Sequence, residues 1–327
     1  MADGMKPLHG KVAVVAGATR GAGRGIACML GEAGATVYCT GRSSRNPGGN
    51  ADKEAPSRKA RPETIEETAE KVDAFGGKGI PVRVDHMRPD QVEALFARVK
   101  NEQGRLDILV NDVWGGDDAV EWGKPFWELS LEKGLPMLNN ALHTHIITSR
   151  YGAPLLMETG GGLIVEITDG NTLGYRGNLL YDLVKSSVIR LAYAQAFELR
   201  RHGISAVAVT PGFLRSEAML ELFGVTEADW KDGAKKDPNF IASETPFFVG
   251  RAVAAMAADP RVAEKSGRVF SSWDLSGEYG FTDIDGEKPH WGRHWEQAFG
   301  KPLMALDEGY YAYGKDSPIE VVQPDWP

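Results

Sequence analysis

The sequence predicts a three-layer, doubly wound α/β fold in which a seven-stranded parallel sheet lies between two layers of helices. Three observations predict this fold. Short apolar runs alternate with segments of helical periodicity. The stretches between successive runs are long enough to cross over a sheet as helices. A glycine-rich turn joins the first run to the first helix. There is no internal repeat and no linker, so the 327 residues are predicted to form one domain.

Seven segments are assigned to strands because they are short, apolar and bounded by turn residues. In chain order they are Lys11–Ala16, Thr36–Thr40, Gly79–Val84, Leu106–Val110, Leu163–Thr168, Ile204–Val209 and Arg268–Ser272.

Six segments between these strands are assigned to helices. The first has Ile26, Leu30 and Ala33 on one side, and the second begins near a proline and ends at Gly76-Gly77. In chain order the helices are Gly21–Ala33, Pro62–Phe75, Pro89–Gln103, about Leu135 to Met157, Leu179–His202 and Phe247–Ala258.

Three further segments do not fit the alternation. Ser43–Arg61 contains two prolines, two adjacent glycines and seven charged residues, and it is interpreted as an inserted loop. Phe213–Thr245 separates the sixth strand from the next helix, and Ser276–Pro327 is an aromatic-rich tail. We expect the tail to pack against the core or against a partner subunit.

Composition restricts the class of partner. The formal net charge of −8 argues against nucleic acid and anionic membranes, so any phosphate site has to be a local basic patch. No apolar run reaches the ~18 residues of a membrane span, and the first ten residues lack the apolar core of a signal peptide. Cys28 and Cys39 fall in a predicted helix and strand, which does not indicate a disulfide framework. We therefore expect a cytoplasmic protein.

The turn after the first strand has the spacing Gly17-x3-Gly21-x-Gly23 and opens the first helix. Glycines at these positions let the backbone turn tightly and approach a pyrophosphate, while the helix N-terminus supplies free N–H groups. Because the turn follows a strand and begins a helix, it predicts a dinucleotide site in a Rossmann-type fold. The residues expected to bind the cofactor here are Gly17, Thr19, Arg20, Gly21, Ala22 and Gly23.

The second strand ends in Thr40-Gly41-Arg42-Ser43, where an NAD enzyme usually has a carboxylate for the ribose 2′-hydroxyl. Arg42 instead offers a planar cation to a 2′-phosphate, and Arg20 can approach the same group. A charge-assisted hydrogen bond contributes about 1.5–3 kcal/mol. One or two such bonds predict NADP(H) in preference to NAD(H), by roughly tenfold or more. The alternative is that Arg42 is a solvated loop arginine.

Tyr181 and Lys185 lie four residues apart near the start of the predicted helix Leu179–His202, so their side chains share a face. A free tyrosine is a poor base at neutral pH because its pKa is ~10. A neighbouring ammonium lowers that pKa and makes the phenol a usable proton donor or acceptor for a carbonyl or alcohol oxygen. Taken alone, a tyrosine and a lysine at this spacing are more often a helix-surface pair. The motifs in the rest of the sequence are what favour a catalytic role.

Over about residues 8–275 the sequence resembles the classical short-chain dehydrogenase/reductase family. The motifs that carry the resemblance, in the family's order and spacing, are the glycine turn, Val110-Asn111, Tyr181-x3-Lys185 and Pro211-Gly212. The resemblance implies a nicotinamide cofactor at the carboxyl ends of the strands, and a homodimer or homotetramer. The further contacts that it implies are Asp85 with the adenine edge, Asn111 beside the cofactor, Pro211 and Gly212 with the nicotinamide carboxamide, Ser216 near the phosphates, and Lys185 with the nicotinamide ribose.

The sequence departs from the family's pattern in three places. At the catalytic serine, sequence distance from the tyrosine selects Thr168, whereas strand register selects Asp169. Thr168 can donate a neutral hydrogen bond to a substrate oxygen, whereas an ionised Asp169 cannot donate and would raise the pKa of Tyr181. We favour Thr168, with Asp169 as the alternative, or as a cap or turn residue. Asn140 is the nearest match to the family's helix asparagine, which anchors a proton-relay water, and Trp114 brings a large ring towards the cofactor.

The predicted function is NADP(H)-dependent hydride transfer between nicotinamide and a carbonyl or alcohol substrate. In the family, Phe213–Thr245 corresponds to a substrate-covering loop, and its apolar residues predict a lid over a partly hydrophobic substrate. Ser43–Arg61 either folds over the adenosine phosphate or is a disordered loop. The spacing His290-x3-His294 lacks a third ligand cluster, so no metal is predicted.

Two other functions are kept as alternatives. The altered serine and asparagine positions favour a non-catalytic NADP(H)-binding sensor or interaction protein, against which the retained Tyr181 and Lys185 argue. An epimerase or dehydratase of the longer sister group ranks last, because its glycine turn usually has a different spacing.

Overall fold

The computed structural model of the protein describes residues 5–45, 62–303, 305–306 and 310–311. Seven parallel strands form one sheet in the order β3-β2-β1-β4-β5-β6-β7. The strands are β1 (Val12–Ala16), β2 (Thr36–Gly41), β3 (Lys78–Arg83), β4 (Ile108–Asn111), β5 (Gly162–Ile167), β6 (Ile204–Thr210) and β7 (Val269–Ser271). The doubly wound, three-layer α/β fold with a seven-stranded parallel sheet is confirmed.

Ten α-helices connect and flank these strands in the described residues. They are α1 (Gly21–Glu32), α2 (Ile65–Ala74), α3 (Pro89–Gln103), α4 (Leu131–Leu138), α5 (Thr144–Thr159), α6 (Leu179–Leu199), α7 (Glu217–Phe223), α8 (Pro246–Ala258), α9 (Ser272–Tyr279) and α10 (Trp291–Phe299). The predicted helix from Leu135 to Met157 corresponds to α4 and α5, which a π-helical segment, Asn139–His143, joins.

Two parts of the sequence interpretation fall largely outside the described residues. Of the inserted loop Ser43–Arg61, only residues 43–45 are described, so its predicted fold over the adenosine phosphate stays a prediction. Of the tail Ser276–Pro327, the described part contains the end of α9 and all of α10, and it includes no residue beyond Tyr311.

Side chains on both faces of the sheet are buried, which is why the strands are apolar throughout. Val12 and Val14 of β1 point into the cluster formed with α3, α5 and α6. Ala13 and Val15 point to the opposite side, into the cluster formed with α1, α2 and α8. On that side α1 and α8 approach closely, because a Cβ atom on Gly25 would overlap the backbone carbonyl of Pro246.

The order of the strands reverses at β1, which lies between β2 and β4. At this point the connections after β1 and β4 run to opposite sides of the sheet and leave a crevice at the carboxyl ends of the strands. Ala16 at the end of β1 is in register with Thr40 on one side and with Asn111 on the other. The glycine turn and Asn111 therefore meet at the edge where open α/β sheets bind their ligands.

Both cysteines are free and buried, and burial raises the pKa of the Cys28 thiol to about 12. Within the described ranges, no helix combines the length and the apolar character needed to cross a membrane.

A buried histidine ties β2 and the loop after β3 to α5. His86 is 2% exposed, and its Nε2 and Nδ1 atoms lie 2.8 Å from the hydroxyl oxygens of Thr40 and Thr148. Burial lowers the pKa of His86 to about 3, and the charges of His145 and Arg42 act in the same direction. The folded protein therefore holds this imidazole neutral where an unfolded chain would protonate it.

This depressed pKa makes stability depend on pH. Between about pH 6.5 and pH 3, His86 binds a proton in the unfolded chain but not in the folded protein. The free energy of unfolding therefore falls as pH falls. The loss is on the order of 4 kcal/mol by pH 3. We expect His86→Asn to flatten this part of a curve of urea unfolding free energy against pH. His202→Asn, at an exposed histidine, is the control. Parallel curves for wild type and His86→Asn would contradict the assignment.

Candidate active site

The glycine turn between β1 and α1 is packed directly against the loop that follows β4. Gly17 has φ of +90°, and a Cβ atom there would lie 2.5 Å from the backbone oxygen of Asp112. A Cβ atom on Gly23 would overlap the carbonyl of Gly17. Only glycine fits at both positions, and the N-terminus of α1 with its backbone N–H groups lies directly after this turn. These features fit the pyrophosphate of a dinucleotide.

A carboxylate already lies at the head of α1. Gly21 N–H donates to Oε2 of Glu217 over 2.8 Å, and Arg24 Nη1 lies 3.4 Å from Oε1 of the same carboxylate. Glu217 is the first residue of α7, and Ser216 caps that helix by accepting from the N–H of Met219. Since helix N-termini attract anions, Glu217 takes a place suited to a phosphate group. Ser216 lies beside the glycine turn, as the family resemblance implies.

On the adenosine side of the turn, basic residues surround the end of β2. Arg20 Nη1 lies 3.8 Å from the Glu63 carboxylate, and Arg83 donates to the backbone carbonyl of Arg42 over 3.2 Å. A Cβ atom on Gly41 would lie 2.6 Å from Oγ1 of Thr19, so the glycine turn and the end of β2 are in contact. Arg83 is a basic residue at this end that the sequence interpretation missed, although it lies in a predicted strand; in the structure it ends β3.

The Asp85 carboxylate is turned back into its own loop. Its Oδ1 accepts from the N–H of Met87 over 3.0 Å, while the N–H of Asp85 donates to Gln91 over 2.8 Å. These bonds fix the loop after β3 next to His86, at the same end of the sheet as the glycine turn. The contact between Asp85 and the adenine edge therefore stays a prediction.

The side chain of Asn111 points into the core. It is fully buried, and its Nδ2 atom donates to Oγ of Ser149 and to Oε1 of Glu166, each over 2.9 Å. Gln195 donates to the same Glu166 oxygen over 2.9 Å. Asn111 therefore joins β4 to β5, α5 and α6, and its amide stabilises the sheet under the expected cofactor position.

A buried histidine completes this network. His145 Nδ1 lies 2.7 Å from Oε2 of Glu166, and its Nε2 lies 3.2 Å from the carbonyl oxygen of Val113. A carboxylate oxygen and a carbonyl oxygen both accept, so both ring nitrogens of His145 face acceptors. The sequence interpretation missed this pair. The sequence feature that could have indicated this pair is Glu166, a charged residue inside an otherwise apolar strand.

The phenol and the ammonium expected to act together lie at the carboxyl end of β5. Tyr181 O–H donates to Oδ2 of Asp169 over 2.7 Å, and Lys185 Nζ lies 5.6 Å from the centre of the Tyr181 ring. Two indoles flank the phenol: the ring centres of Trp114 and Trp122 lie 5.4 and 5.3 Å from that of Tyr181. Lys185 Nζ also lies 4.3 Å above Trp114, in cation–π contact.

The geometry favours Asp169 over Thr168 at the catalytic serine position. Thr168 is 2% exposed, and its hydroxyl donates to the backbone carbonyl of Lys185 over 2.8 Å. Its single proton is thus engaged inside the protein, which conflicts with the expectation that Thr168 donates to a substrate oxygen. Asp169 instead contacts the phenol, and Arg176 holds the Asp169 carbonyl by a 2.6 Å hydrogen bond.

The π-helical segment explains why Asn140 does not match the register of the family's helix asparagine. A π-helical turn contains an extra residue, so the positions after it rotate around the helix axis. Asn140 lies within this segment and its carbonyl accepts from the Thr144 hydroxyl. A void of about 10 Å³, which is room for about one water molecule, borders Ala141, His145 and Lys185. Asn140 is not among the residues that line the void, so His145 rather than Asn140 faces it together with Lys185.

At the nicotinamide end, the loop Pro211–Gly212 follows β6, and Gly212 N–H donates to Oε2 of Glu244 over 2.9 Å. The predicted lid, Phe213–Thr245, mostly packs against itself and against α10. Phe213, Phe223, Phe240, Trp230 and Trp291 form a chain of ring contacts with centre distances of 4.2 to 6.2 Å. Phe223 and Phe240 are buried in this cluster, which leaves Trp114 and Trp122 as the aromatic groups nearest the phenol.

The histidines of the tail have structural contacts. His290 caps α10 by accepting from the N–H of Arg293, and His294 Nε2 lies 3.1 Å from Oδ1 of Asn239. In the part of the chain that the structure describes, no group of three or more His, Cys, Asp or Glu side chains is arranged to hold a metal ion.

A dinucleotide cradle at the point of strand reversal and a tyrosine–lysine pair at the end of β5 define a short-chain dehydrogenase. The chain matches the sequence model of that family, short chain dehydrogenase, over residues 11–223. It therefore belongs to the short-chain dehydrogenase/reductase family, whose members are oxidoreductases that use a nicotinamide cofactor.

Comparisons with individual proteins agree with this assignment. The chain is 38% identical over 284 residues to "Dehydrogenase/reductase SDR family member 1" of Mus musculus, which covers 86% of this chain and 85% of the relative. A putative dehydrogenase from Xanthomonas campestris has a similar fold, with a TM-score of 0.68, 22% identity, and coverage of 92% of this chain and 99% of the other. A 7α-hydroxysteroid dehydrogenase complexed with NADH and 7-oxo glycochenodeoxycholic acid has a TM-score of 0.64 at 22% identity, with coverage of 83% and 96%.

The position of Glu217 generates a prediction about cofactor affinity. A pyrophosphate that binds at the head of α1 has to displace the Glu217 carboxylate, so Glu217→Gln is expected to tighten NAD(P)H binding roughly three- to tenfold. Fluorescence titration of NAD(P)H measures the effect. Glu221→Gln, at an exposed residue of the same helix, is the control. Binding of 2′-AMP, which has no pyrophosphate, should not change. Weaker NAD(P)H binding by Glu217→Gln would show that the carboxylate supports the bound state instead.

Proposed function

We propose that the protein is an NADP(H)-dependent carbonyl reductase, or the reverse alcohol dehydrogenase, with a partly hydrophobic substrate. The observation that carries the proposal is the phenol of Tyr181, held over 2.7 Å by Asp169 in the same space as the Lys185 ammonium. Family membership supports the reaction class, because short-chain dehydrogenases are oxidoreductases that act on alcohol and carbonyl groups.

When bound, the nicotinamide supplies or accepts the hydride. In the direction of reduction, the Tyr181 O–H turns from Asp169 to the substrate oxygen and gives its proton to it. The positive charge of Lys185 stabilises the phenolate that remains, and the Asp169 carboxylate keeps the phenol oriented before the transfer. In the direction of oxidation, Tyr181 takes the proton back. Thr168 contributes indirectly, since its hydroxyl fixes the Lys185 carbonyl and thereby the first turns of α6.

The substrate class follows from the surroundings of the phenol. Trp114 and Trp122 form an aromatic wall on both sides of Tyr181, and Trp122 is 60% exposed. An apolar substrate group attached to the carbonyl carbon would cover this exposed indole. Such burial is favourable by about 25 cal/mol per Å² of apolar area. Leu173 and Tyr175, both exposed, lie on the loop between β5 and α6 and extend the apolar surface. We further propose a homodimer or homotetramer and a cytoplasmic location.

The tyrosine is tested by removal of its hydroxyl. We expect Tyr181→Phe to lower kcat by roughly 10²- to 10⁴-fold, because the proton donor is lost while the ring remains. The measurement is NADPH oxidation at 340 nm over a panel of aryl and alkyl aldehydes and ketones. Tyr193→Phe, at a partly buried tyrosine further along α6, is the matched control.

Three outcomes are distinguishable. Activity that disappears with Tyr181→Phe supports the enzyme. Tight NADPH binding without turnover of any carbonyl or alcohol supports a sensor instead. Undiminished activity in Tyr181→Phe would move the proton transfer to another group and overturn the mechanism.

Cofactor preference has its own test. Arg20 and Arg42 support NADP(H), because both belong to segments that meet at the adenosine side of the glycine turn. We expect Arg42→Ala to weaken NADPH binding about tenfold or more and to leave NADH binding nearly unchanged, since only NADPH carries the 2′-phosphate. The ratio of the two dissociation constants is measured, with Arg261→Ala at an exposed site as control. An unchanged ratio of the two dissociation constants would show that Arg42 is a solvated loop arginine that does not bind the 2′-phosphate.

A further inference from the structure

A buried carboxyl group lies under the loop that is expected to meet the nicotinamide. Glu244 is 1% exposed, and its Oε2 atom accepts from Gly212 N–H over 2.9 Å and from the Ser272 hydroxyl over 2.6 Å. The backbone of Glu244 is paired with the same loop: its N–H donates to Phe213, and its carbonyl accepts from Arg215, each over 2.9 Å. Glu244 therefore connects the end of β6 to the start of α9 through both its backbone and its side chain.

Burial of this carboxyl group costs folding free energy because its charged form is removed from water. Burial raises its pKa to about 8, and the nearby Asp283 carboxyl acts in the same direction. The two hydrogen bonds to Oε2 and the charge of Arg215 oppose this shift. At neutral pH the protein thus contains a largely protonated acid at a position where burial of an apolar side chain would cost less free energy.

The two carboxyl oxygens of Glu244 have different surroundings. Oε2 has Gly212 N–H and the Ser272 hydroxyl as partners, whereas Oε1 is buried without a hydrogen-bond partner in the described part of the chain. Loss of the acid proton leaves Oε2, the acceptor of the Gly212 N–H, on a charged group. Hydrogen bonds to an ionised acceptor are stronger than those to a neutral one. The protonation state of Glu244 therefore changes how firmly Gly212 is held.

We propose that Glu244 is a positioning residue that fixes the Pro211–Gly212 loop against the nicotinamide half of the cofactor. The inference rests on the proposed function, because it requires a nicotinamide at this loop. Gly212 has no side chain of its own to anchor it, and a Cβ atom there would lie 2.9 Å from Cβ of Trp291 and 3.1 Å from Oε2 of Glu244. The loop is thus clamped between the tail helix α10 on one side and the buried carboxyl group on the other.

Several charged groups surround Glu244. Arg215 is buried next to it and pairs with Glu227 and Asp285, over 2.8 and 2.9 Å. Asp283 accepts from Thr245 N–H over 2.8 Å, and its carbonyl accepts from Arg251 of α8. A further set lies on α9 and α10: Asp274, His290 and His294. Burial raises the pKa of Asp283 as well, so the pH response of this region contains two carboxyl groups.

The test separates the two halves of the cofactor. Glu244→Ala removes both side-chain hydrogen bonds, and we expect NADPH binding to weaken about tenfold while binding of 2′,5′-ADP, which has no nicotinamide, stays within a factor of two. Glu244→Gln keeps an oxygen acceptor but does not titrate. It should retain most of the NADPH affinity and lose the part of the wild-type pH dependence centred near pH 8. Glu227→Gln, an exposed carboxylate on the same arginine, is the matched control.

Protein stability provides a second readout. A carboxyl group whose pKa is raised by folding stabilises the folded state below its unfolded pKa, and this contribution is lost as pH rises through the folded pKa. Thermal unfolding of Glu244→Gln should therefore depend less on pH between about 4.5 and 8 than that of wild type. If Glu244→Ala does not fold, the pH dependence of NADPH affinity and of thermal unfolding in Glu244→Gln tests the proposed role of Glu244.

Three results would overturn the inference: equal losses for NADPH and 2′,5′-ADP, wild-type NADPH affinity in Glu244→Ala, or an unchanged pH profile of NADPH affinity in Glu244→Gln. Each of these leaves the oxidoreductase in place. Failure of the proposed function itself would appear differently, as wild-type protein that does not bind NADPH at all.

Discussion

The close approach of two backbone segments at the point of strand reversal determines where everything else in the site lies. The turn after β1 and the loop after β4 touch because Gly17 and Gly23 have no side chains, and any Cβ atom at these positions would part them. The contact places the head of α1 beside the end of β4, where Asn111 is in register with Ala16. In the proposed mechanism Tyr181 can act only if this crevice brings a nicotinamide to it, so the chemistry would depend on a steric constraint at glycines that are distant in the sequence.

The fold was predictable because its signals are local and redundant. Strands buried on both faces are apolar throughout, as in Val12–Ala16, and helix boundaries follow from proline, glycine and capping residues. The pairing of Tyr181 with Lys185 was predictable for the same reason, since residues four apart on a helix share a face in any context. What these signals left open was whether sequence distance or strand register decides which residue at the end of β5 meets the phenol; in the structure it is Asp169 rather than Thr168.

The remaining parts of the site depend on contacts between distant segments, which local patterns do not encode. Asp169 faces the phenol because Arg176, seven residues later, holds its carbonyl and shapes the intervening loop. Glu166 and His145 pair across the interface of β5 and α5, and the extra residue of the π-helical segment turns His145 inward. The sequence interpretation missed His145 because an ideal helix gives no reason to rotate it towards a strand.

Several carboxyl groups lie around the site that is proposed to accept an anionic cofactor, and those of Asp169, Glu166, Glu217 and Glu244 each have partners that bear on their repulsion of a phosphate. Glu166 is buried and paired with the His145 imidazole, and burial favours the neutral form of Glu244. Asp169 is bound to the phenol at the far end of the crevice, away from the glycine turn. Glu217 lies at the N-terminus of α1, where the proposed phosphate would bind, and it is held there by that N-terminus and by Arg24, the groups that would also attract the phosphate. Because Glu217 begins α7, which lies within the predicted lid, an exchange of its carboxylate for a phosphate would act directly on that segment. Under the proposed function, cofactor binding and the position of α7 would therefore be linked through a pair of competing anions.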